Sequence, residues 1–173
     1  MNTSSAGLRA GEHGAVPQLH DYLEASVRRL PGKAALVSES RRLTYGQVET
    51  EANRLANGLV TRGVGRGDRV LILAENTAET VVAFWAALKA NAVACPVSSL
   101  TKAPKLAALL DDCEPAAIVA LRGQLELVRV AVAAARPRPL VAVAAGGADL
   151  PETSPPQWLR WEDLLAQSAP EPP

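Results

Sequence analysis

The residues whose types and spacing come closest to a binding motif are the glycines of RGVGRGDRVLIL, residues 62–73. Gly63, Gly65 and Gly67 stand in five positions just before an apolar, strand-like run. A phosphate-binding loop places its glycines between a strand and the N-terminus of a helix, whose dipole attracts the anion. Here the glycines follow a predicted helix C-terminus and precede a strand, and Asp68 adds a negative charge. The order therefore favours a tight turn, closed by left-handed Gly63 and local acceptor Asp68, over a ligand loop.

Two later turns have the strand-to-helix order that an anion site requires, AENTAE (74–79) and PVSSLTK (96–102). Each contains a threonine, Thr77 or Thr101, that is predicted to cap the helix that follows. Because neither turn is rich in glycine, ordinary helix caps are favoured over anion sites.

Other reactive side chains form no recognisable set. Ser98 and Ser99 have no identifiable base, which a hydroxyl nucleophile requires, so they are interpreted as cap-region residues. The histidines, His13 and His20, have no zinc-ligand spacing with the two cysteines. Asp111 and Asp112 form either a solvated pair or a surface contact, and Trp158 and Trp161 are interpreted as packing anchors rather than a stacking platform. We therefore predict no catalytic, cofactor-binding or metal-binding residue in this chain.

Composition excludes several classes of protein. The chain has 173 residues, and Lys plus Arg equals Asp plus Glu at 18 each, so the basic excess typical of nucleic-acid-binding proteins is absent. No apolar run approaches the ~18 residues of a membrane span, and the first residues lack the apolar core of a signal peptide. Cys95 and Cys113 are predicted to be buried free thiols, which fits a reducing compartment, the cytoplasm.

Helices and apolar strands alternate along the middle of the chain. Helices are predicted at 20–30, 44–62, 77–89, 101–113 and 124–135, and strands at 34–38, 70–73, 93–97, 116–121 and 140–144. The second helix has the clearest start, a capping box in which Thr44 and Gln47 exchange hydrogen bonds. Such alternation predicts an α/β fold, a mainly parallel sheet with helices on both faces, preceded by a short N-terminal helix and strand hairpin.

Three regions follow from this pattern. Residues 1–18 are predicted to be a flexible lead-in, and 19–145 to be the α/β domain. Residues 146–173 change composition: a loop, a short helix over 158–165, and a proline-rich end interpreted as a frayed tail or a linker.

The order of these segments resembles the N-terminal region of the adenylate-forming, AMP-binding superfamily. The similarity rests on LTYGQ, ANRLANGL, GVGRGDRV, LKANAV and CPV within residues 43–98, and extends more loosely from residue 19 to WEDLLAQ. The chain departs from the family pattern at Asn91, where glycine is usual, and at Ser98–Ser99, where the family has Asn-Pro.

The resemblance implies a ligase that uses ATP and Mg²⁺ to turn a carboxylate into an acyl-adenylate. The acyl group then passes to coenzyme A or a phosphopantetheine carrier. The family's phosphate loop and catalytic lysine belong to segments further along such enzymes, and neither motif occurs in these residues. We therefore expect the N-terminal subdomain of such a ligase, inactive alone. The remainder of the ligase is its expected partner, and apolar surface left exposed without that remainder would favour a homodimer. The alternative is a stand-alone, ligase-derived interaction module; a small nucleotide-binding domain is less favoured because it needs a strand–glycine–helix turn.

Overall fold

The computed structural model describes residues 17–38, 41–73, 75–136, 139–147, 150 and 156–173. Most of the predicted lead-in, including His13, lies outside these residues. In chain order the elements are α1 (Leu19–Arg29), β1 (Ala34–Val37), β2 (Arg42–Thr44), α2 (Tyr45–Val60), β3 (Arg69–Leu73), α3 (Ala78–Lys89), β4 (Val93–Val97), α4 (Ala103–Cys113), β5 (Ala117–Leu121), a 3₁₀ turn (Arg122–Gln124), α5 (Leu125–Ala134), β6 (Val141–Ala145), β7 (Gln157–Arg160) and α6 (Trp161–Gln167).

The centre of the fold is a five-stranded parallel sheet in the order β4-β3-β5-β6-β7. A separate antiparallel hairpin pairs β1 with β2. The predicted α/β class, parallel sheet and hairpin are thereby confirmed.

Alternate residues of each strand face opposite layers, so that the sheet separates two apolar cores. Val70 and Ile72 of β3 pack in the core that contains α2, α3 and α6. Leu71 and Leu73 pack in the other core, against α4 and α5. Helices cover both faces, as a strand such as VLIL with apolar residues on both sides requires.

Three helices on the first face are joined by a buried cation. Lys89 of α3 has a side chain only 1% exposed, and its Nζ donates to Glu24 of α1 at 2.9 Å and to Glu49 of α2 at 2.8 Å. Since an unpaired ammonium is costly to bury, the two carboxylates are what permit Lys89 to lie there.

Helix starts agree with the sequence in two of three tested cases. In α2 the capping box is present: Gln47 N donates to Thr44 Oγ1 and Thr44 N donates to Gln47 Oε1. In α3 Thr77 accepts from Thr80 N, as predicted. The predicted cap at Thr101 is wrong by one residue, because Lys102 holds the N-cap position of α4 without a side-chain cap bond.

The C-terminal region differs from the prediction. The single helix expected over 158–165 is divided into β7, which pairs with β6, and α6, which begins at Trp161. The residues beyond α6 contact α2 through Asn53 and Asn57. In the described structure this tail is therefore docked rather than frayed.

Within the described ranges, every helix is too short or too polar to span a lipid bilayer.

Candidate functional site

The carboxyl ends of the parallel strands are the place where this fold can hold a ligand. In open α/β sheets, ligands bind outside these ends, where the connections diverge to opposite faces. Here the divergence lies between the neighbouring strands β3 and β5, since β3 leads to α3 on one face and β5 leads to α5 on the other. The turns that follow β3, β4 and β5 thus form the candidate site.

The turn after β3 is occupied by its own structural bonds. Thr77 Oγ1 accepts from Thr80 N, and Thr80 Oγ1 donates to the carbonyl oxygen of Glu75 at 2.5 Å. Glu79 lies in the first turn of α3 and places a carboxylate at the positive end of the helix. This turn is an ordinary cap, as the sequence indicated.

Glu79 also takes part in an ion-pair network with the hairpin. Arg41 donates to Glu79 at 2.9 Å and to Glu51 of α2 at 2.6 Å. Burial alone would raise the pKa of Glu79, but hydrogen bonds from Arg41 and its own backbone hold that pKa below its usual range. Burial would lower the pKa of Arg41, and the same two carboxylates raise it instead. Both groups are therefore charged at neutral pH and fix the hairpin against α2 and α3.

The turn after β4 is the most open of the three. Ser98 Oγ accepts from Leu100 N at 3.3 Å, so the hydroxyl is used within the turn. Leu100 is 85% exposed, and Lys102 places a cation at the uncapped start of α4. Among the described residues, no side-chain base is hydrogen-bonded to Ser98. Asp111 lies at the other end of α4, where its Oδ1 accepts from Arg136 N at 2.6 Å.

The turn after β5 contains Gln124, a residue that the sequence did not single out. Its side chain is buried, and its Oε1 has no hydrogen-bond donor among the described residues. No pattern in the sequence marks it, because its burial depends on α5 folding back over the sheet.

The glycine cluster lies at the other end of the sheet, where β3 begins. Gly63 and Gly67 have φ of +91° and +83°, the left-handed conformation predicted for a turn. Asp68 Oδ2 accepts from Gly65 N at 2.8 Å, as predicted. The glycines lie at the N-terminal end of β3, and the nearby acceptor is a carboxylate, which would repel an anion. Both observations confirm a structural turn and argue against an anion site.

The remaining candidates among the described residues are one histidine and two cysteines. His20 lies on α1, while Cys95 and Cys113 are free and half-buried. Burial raises the pKa of both thiols. Within the described ranges, no three His, Cys, Asp or Glu side chains are grouped so as to hold a metal ion.

Trp158 and Trp161 are packing residues, as predicted, although they face opposite ways. Trp158 belongs to the core under α4 and α5, and Trp161 to the core under α2 and α3. Both are buried, which leaves no stacking platform.

The sequence of this fold matches the AMP-binding enzyme family over residues 23–172. The chain belongs to that family. A curated relative, the 3-oxocholest-4-en-26-oate CoA ligase of Rhodococcus rhodochrous, is 32% identical over 151 residues, which cover 87% of this chain and 27% of the relative.

Solved structures of AMP-binding enzymes have the same architecture. An anthranilate CoA ligase in complex with anthranoyl-AMP superposes with a TM-score of 0.82 at 26% identity, over 90% of this chain and 29% of that one. The benzoate CoA ligase of Burkholderia xenovorans gives 0.75 at 25% identity over the same 90% and 29%. This chain thus spans less than a third of the length of each of these three relatives.

One departure from the family resemblance has a structural reason. Asn91, where the resemblance implies glycine, has φ of +57°, in the left-handed region that asparagine tolerates better than other residues with a side chain. The turn is therefore retained although the glycine is not.

Proposed function

We propose that residues 19–145, together with β7 and α6, form the N-terminal subdomain of an ATP-dependent, AMP-forming ligase that activates a carboxylate. The observation that carries this proposal is the family match over residues 23–172, in a fold shared with a ligase that was solved with anthranoyl-AMP. An acyl-adenylate of that kind forms when a carboxylate oxygen attacks the α-phosphorus of ATP and pyrophosphate leaves. A thiol then attacks the acyl carbon and AMP leaves, which gives a thioester.

In this proposal the subdomain is a wall of the active-site cleft, and its carboxyl-end turns face the substrates. ATP, Mg²⁺ and the thiol carrier, coenzyme A or a phosphopantetheine protein, are held mainly by polypeptide outside these residues. That assignment is supported by the chemistry of the described turns: Ser98 has no base, and Thr77 and Glu79 are engaged in capping and pairing. The residues after α6 lead from the subdomain toward the remainder of the ligase.

Exposed apolar surface supports the proposal that another part of the ligase packs against this subdomain. An apolar groove of about 280 Å³ lies between α1, the hairpin and α3, and its lining includes Tyr22, Leu36 and Trp85. Tyr22 is 59% exposed, and Val37 beside the groove is 69% exposed. We propose that the remainder of the ligase covers part of this surface, and that the isolated chain forms a homodimer through it at high concentration. A clean monomer in light scattering at millimolar concentration would contradict the dimer.

The compartment proposed for this ligase is the cytoplasm. Cys95 and Cys113 are both unpaired, which fits a reducing environment. The chain's net charge of zero gives no electrostatic attraction for nucleic acid, and we propose none as a partner.

Carboxylate-dependent exchange of pyrophosphate into ATP tests the assignment of chemistry to other segments. We expect residues 1–173 alone to give exchange at the level of the buffer, and calorimetry with ATP and Mg²⁺ to give no binding heat. Exchange well above that background would show that this chain carries catalytic groups of its own.

A further inference from the structure

The polar side of α2 holds the C-terminal residues of the chain by their backbone. Asn57 Nδ2 donates to the carbonyl oxygens of Ala169 at 3.0 Å and Glu171 at 2.8 Å. Asn53 Nδ2 donates to the carbonyl oxygen of Pro170 at 2.8 Å. Three consecutive carbonyls of the tail are thus bound by two side-chain amides one helical turn apart.

The path from α6 to this contact is also fixed by α2. Arg54 Nη1 donates to the carbonyl oxygen of Leu165 at 2.5 Å. Gly58 has no side chain, and a Cβ there would overlap Leu164 and crowd Ser168, so the absence of one lets α6 approach closely. One face of α2 therefore guides the chain from Leu164 to Glu171.

The buried side chain of Asn53 lowers the stability of the fold at its position. It is only 3% exposed, and its Oδ1 has no hydrogen-bond partner among the described residues. Burying an amide with an unsatisfied acceptor opposes folding, and an alanine would be buried there without that cost. The Asn53 amide compensates for this cost by donating a hydrogen bond to the carbonyl oxygen of Pro170. The contact with the tail therefore explains why asparagine occupies this position.

The proline-rich tail offers backbone carbonyls that side-chain amide donors can bind. Pro170, Pro172 and Pro173 have no N–H group and a restricted φ, which favours an extended backbone whose carbonyls remain free to accept. Amide donors spaced along a helix bind those carbonyls without reading any tail side chain. The pair therefore recognises the direction and extension of the backbone.

We propose that Asn53 and Asn57 form an exit clasp, which sets the direction in which the polypeptide leaves this domain along α2. The occupant is residues 169–171 of the same chain. This inference rests on the proposed function in one respect: the segment that the clasp directs away from the domain leads to the remainder of the ligase. The clasp itself requires no ATP, carboxylate or thiol.

Backbone ¹⁵N relaxation of the intact chain tests the clasp at the amides of Ala169 and Glu171. We expect order parameters near those of α2, about 0.85, and a fall below about 0.6 in the variant N53A/N57A. The matched control is Thr50→Ala, because Thr50 lies on the exposed side of α2 and its hydroxyl donates to the carbonyl oxygen of Gly46 in the same helix. It should leave the tail ordered.

A second variant separates the hydrogen bonds from packing. Asn57→Asp has nearly the same shape but no N–H donor, so we expect the tail amides to become mobile while Trp161 keeps its indole shift. A tail that stays ordered in Asn57→Asp and in the double variant, or one already mobile in the parent chain, would overturn the clasp. Because the relaxation experiment measures the order of the tail, its outcome is independent of the pyrophosphate-exchange assay.

Discussion

The backbone amide of Gly67 donates to the carbonyl oxygen of Asn91 at 3.1 Å, which joins the turn before β3 to the turn before β4. Both residues are left-handed, with φ of +83° and +57°. The glycine cluster and Asn91, which replaces the family's usual glycine, are thus joined in one pair of hydrogen-bonded turns. Its purpose is to start two neighbouring parallel strands in register, since Arg69 lies opposite Val93.

The left-handed turn at Asn91 predicts an order of stability among variants. Asn91→Ala should lower the free energy of unfolding by about 1 kcal/mol, because a Cβ without a local polar partner is unfavourable in this region. Asn91→Gly should equal or exceed the parent. Urea denaturation measures both, with Arg66→Ala in the exposed facing turn as the control. Equal losses for alanine and glycine would show that the asparagine side chain, rather than the backbone conformation, is what matters.

Removal of the buried cation should weaken the attachment of three helices. Lys89→Met leaves Glu24 and Glu49 without their shared partner, and we expect a loss of about 3 kcal/mol in the free energy of unfolding. The control Lys105→Met removes an exposed lysine of α4 and should change stability by less than about 0.5 kcal/mol. If Lys89→Met is as stable as the parent, the pairs contribute nothing beyond what a methionine provides by packing.

The Arg41–Glu79 pair predicts a dependence of stability on pH. Because the pKa of Glu79 is lower in the folded than in the unfolded chain, its contribution is complete above the unfolded value, about 4.3, and is lost as the pH falls through the folded value. Glu79→Gln should therefore cost more stability at pH 6 than at pH 3.

Denaturation in urea across that range measures the difference. The control is Glu126→Gln, which removes a carboxylate whose partner Arg129 is on an exposed helix surface, where solvent screens the pair. We expect a smaller pH effect there. A Glu79→Gln cost that is unchanged between pH 3 and pH 6 would contradict the assigned pairing.

Close approach of α6 to α2 makes Gly58 sensitive to a single methyl group. Gly58→Ala improves helix propensity by about 1 kcal/mol, yet the added Cβ would overlap Leu164, so we expect a net loss of about 1–2 kcal/mol. Combining it with Leu164→Ala should recover part of the loss, since the smaller side chain leaves room for the Cβ. Thermal unfolding of the two single variants and the double variant measures this coupling. Strictly additive effects would mean that the two residues do not touch.

Local patterns predicted most of the fold, because each helix and strand carries its own apolar period and start signal. The box at Thr44 and Gln47 is an example in which four residues determine a helix start. The division between β7 and α6 was missed because Trp158 and Trp161 have helical spacing. In the structure they point into different cores, which only the pairing of β7 with β6 decides.

Contacts between distant segments were not predictable. Asn53 and Asn57 lie off the apolar stripe of α2, and such residues usually face water. Their partners are more than a hundred residues away, and backbone carbonyls leave no mark in a sequence. The buried amide of Gln124 was missed because its burial depends on the packing of α5 over the sheet, which the local sequence does not show.

A domain exchange tests whether this chain is the N-terminal subdomain of a carboxylate-activating ligase. Residues 23–172 would replace the matching segment of the Rhodococcus rhodochrous ligase, and exchange of pyrophosphate into ATP would be measured with that ligase's own carboxylate. A parallel exchange with the benzoate CoA ligase segment shows whether the host tolerates the replacement.

We expect carboxylate-dependent exchange in the hybrid, reduced by no more than about a hundredfold, the size of effect that a misplacement of about 1 Å produces. A hybrid that unfolds cooperatively like its host but gives only background exchange, while the benzoate hybrid is active, would contradict it.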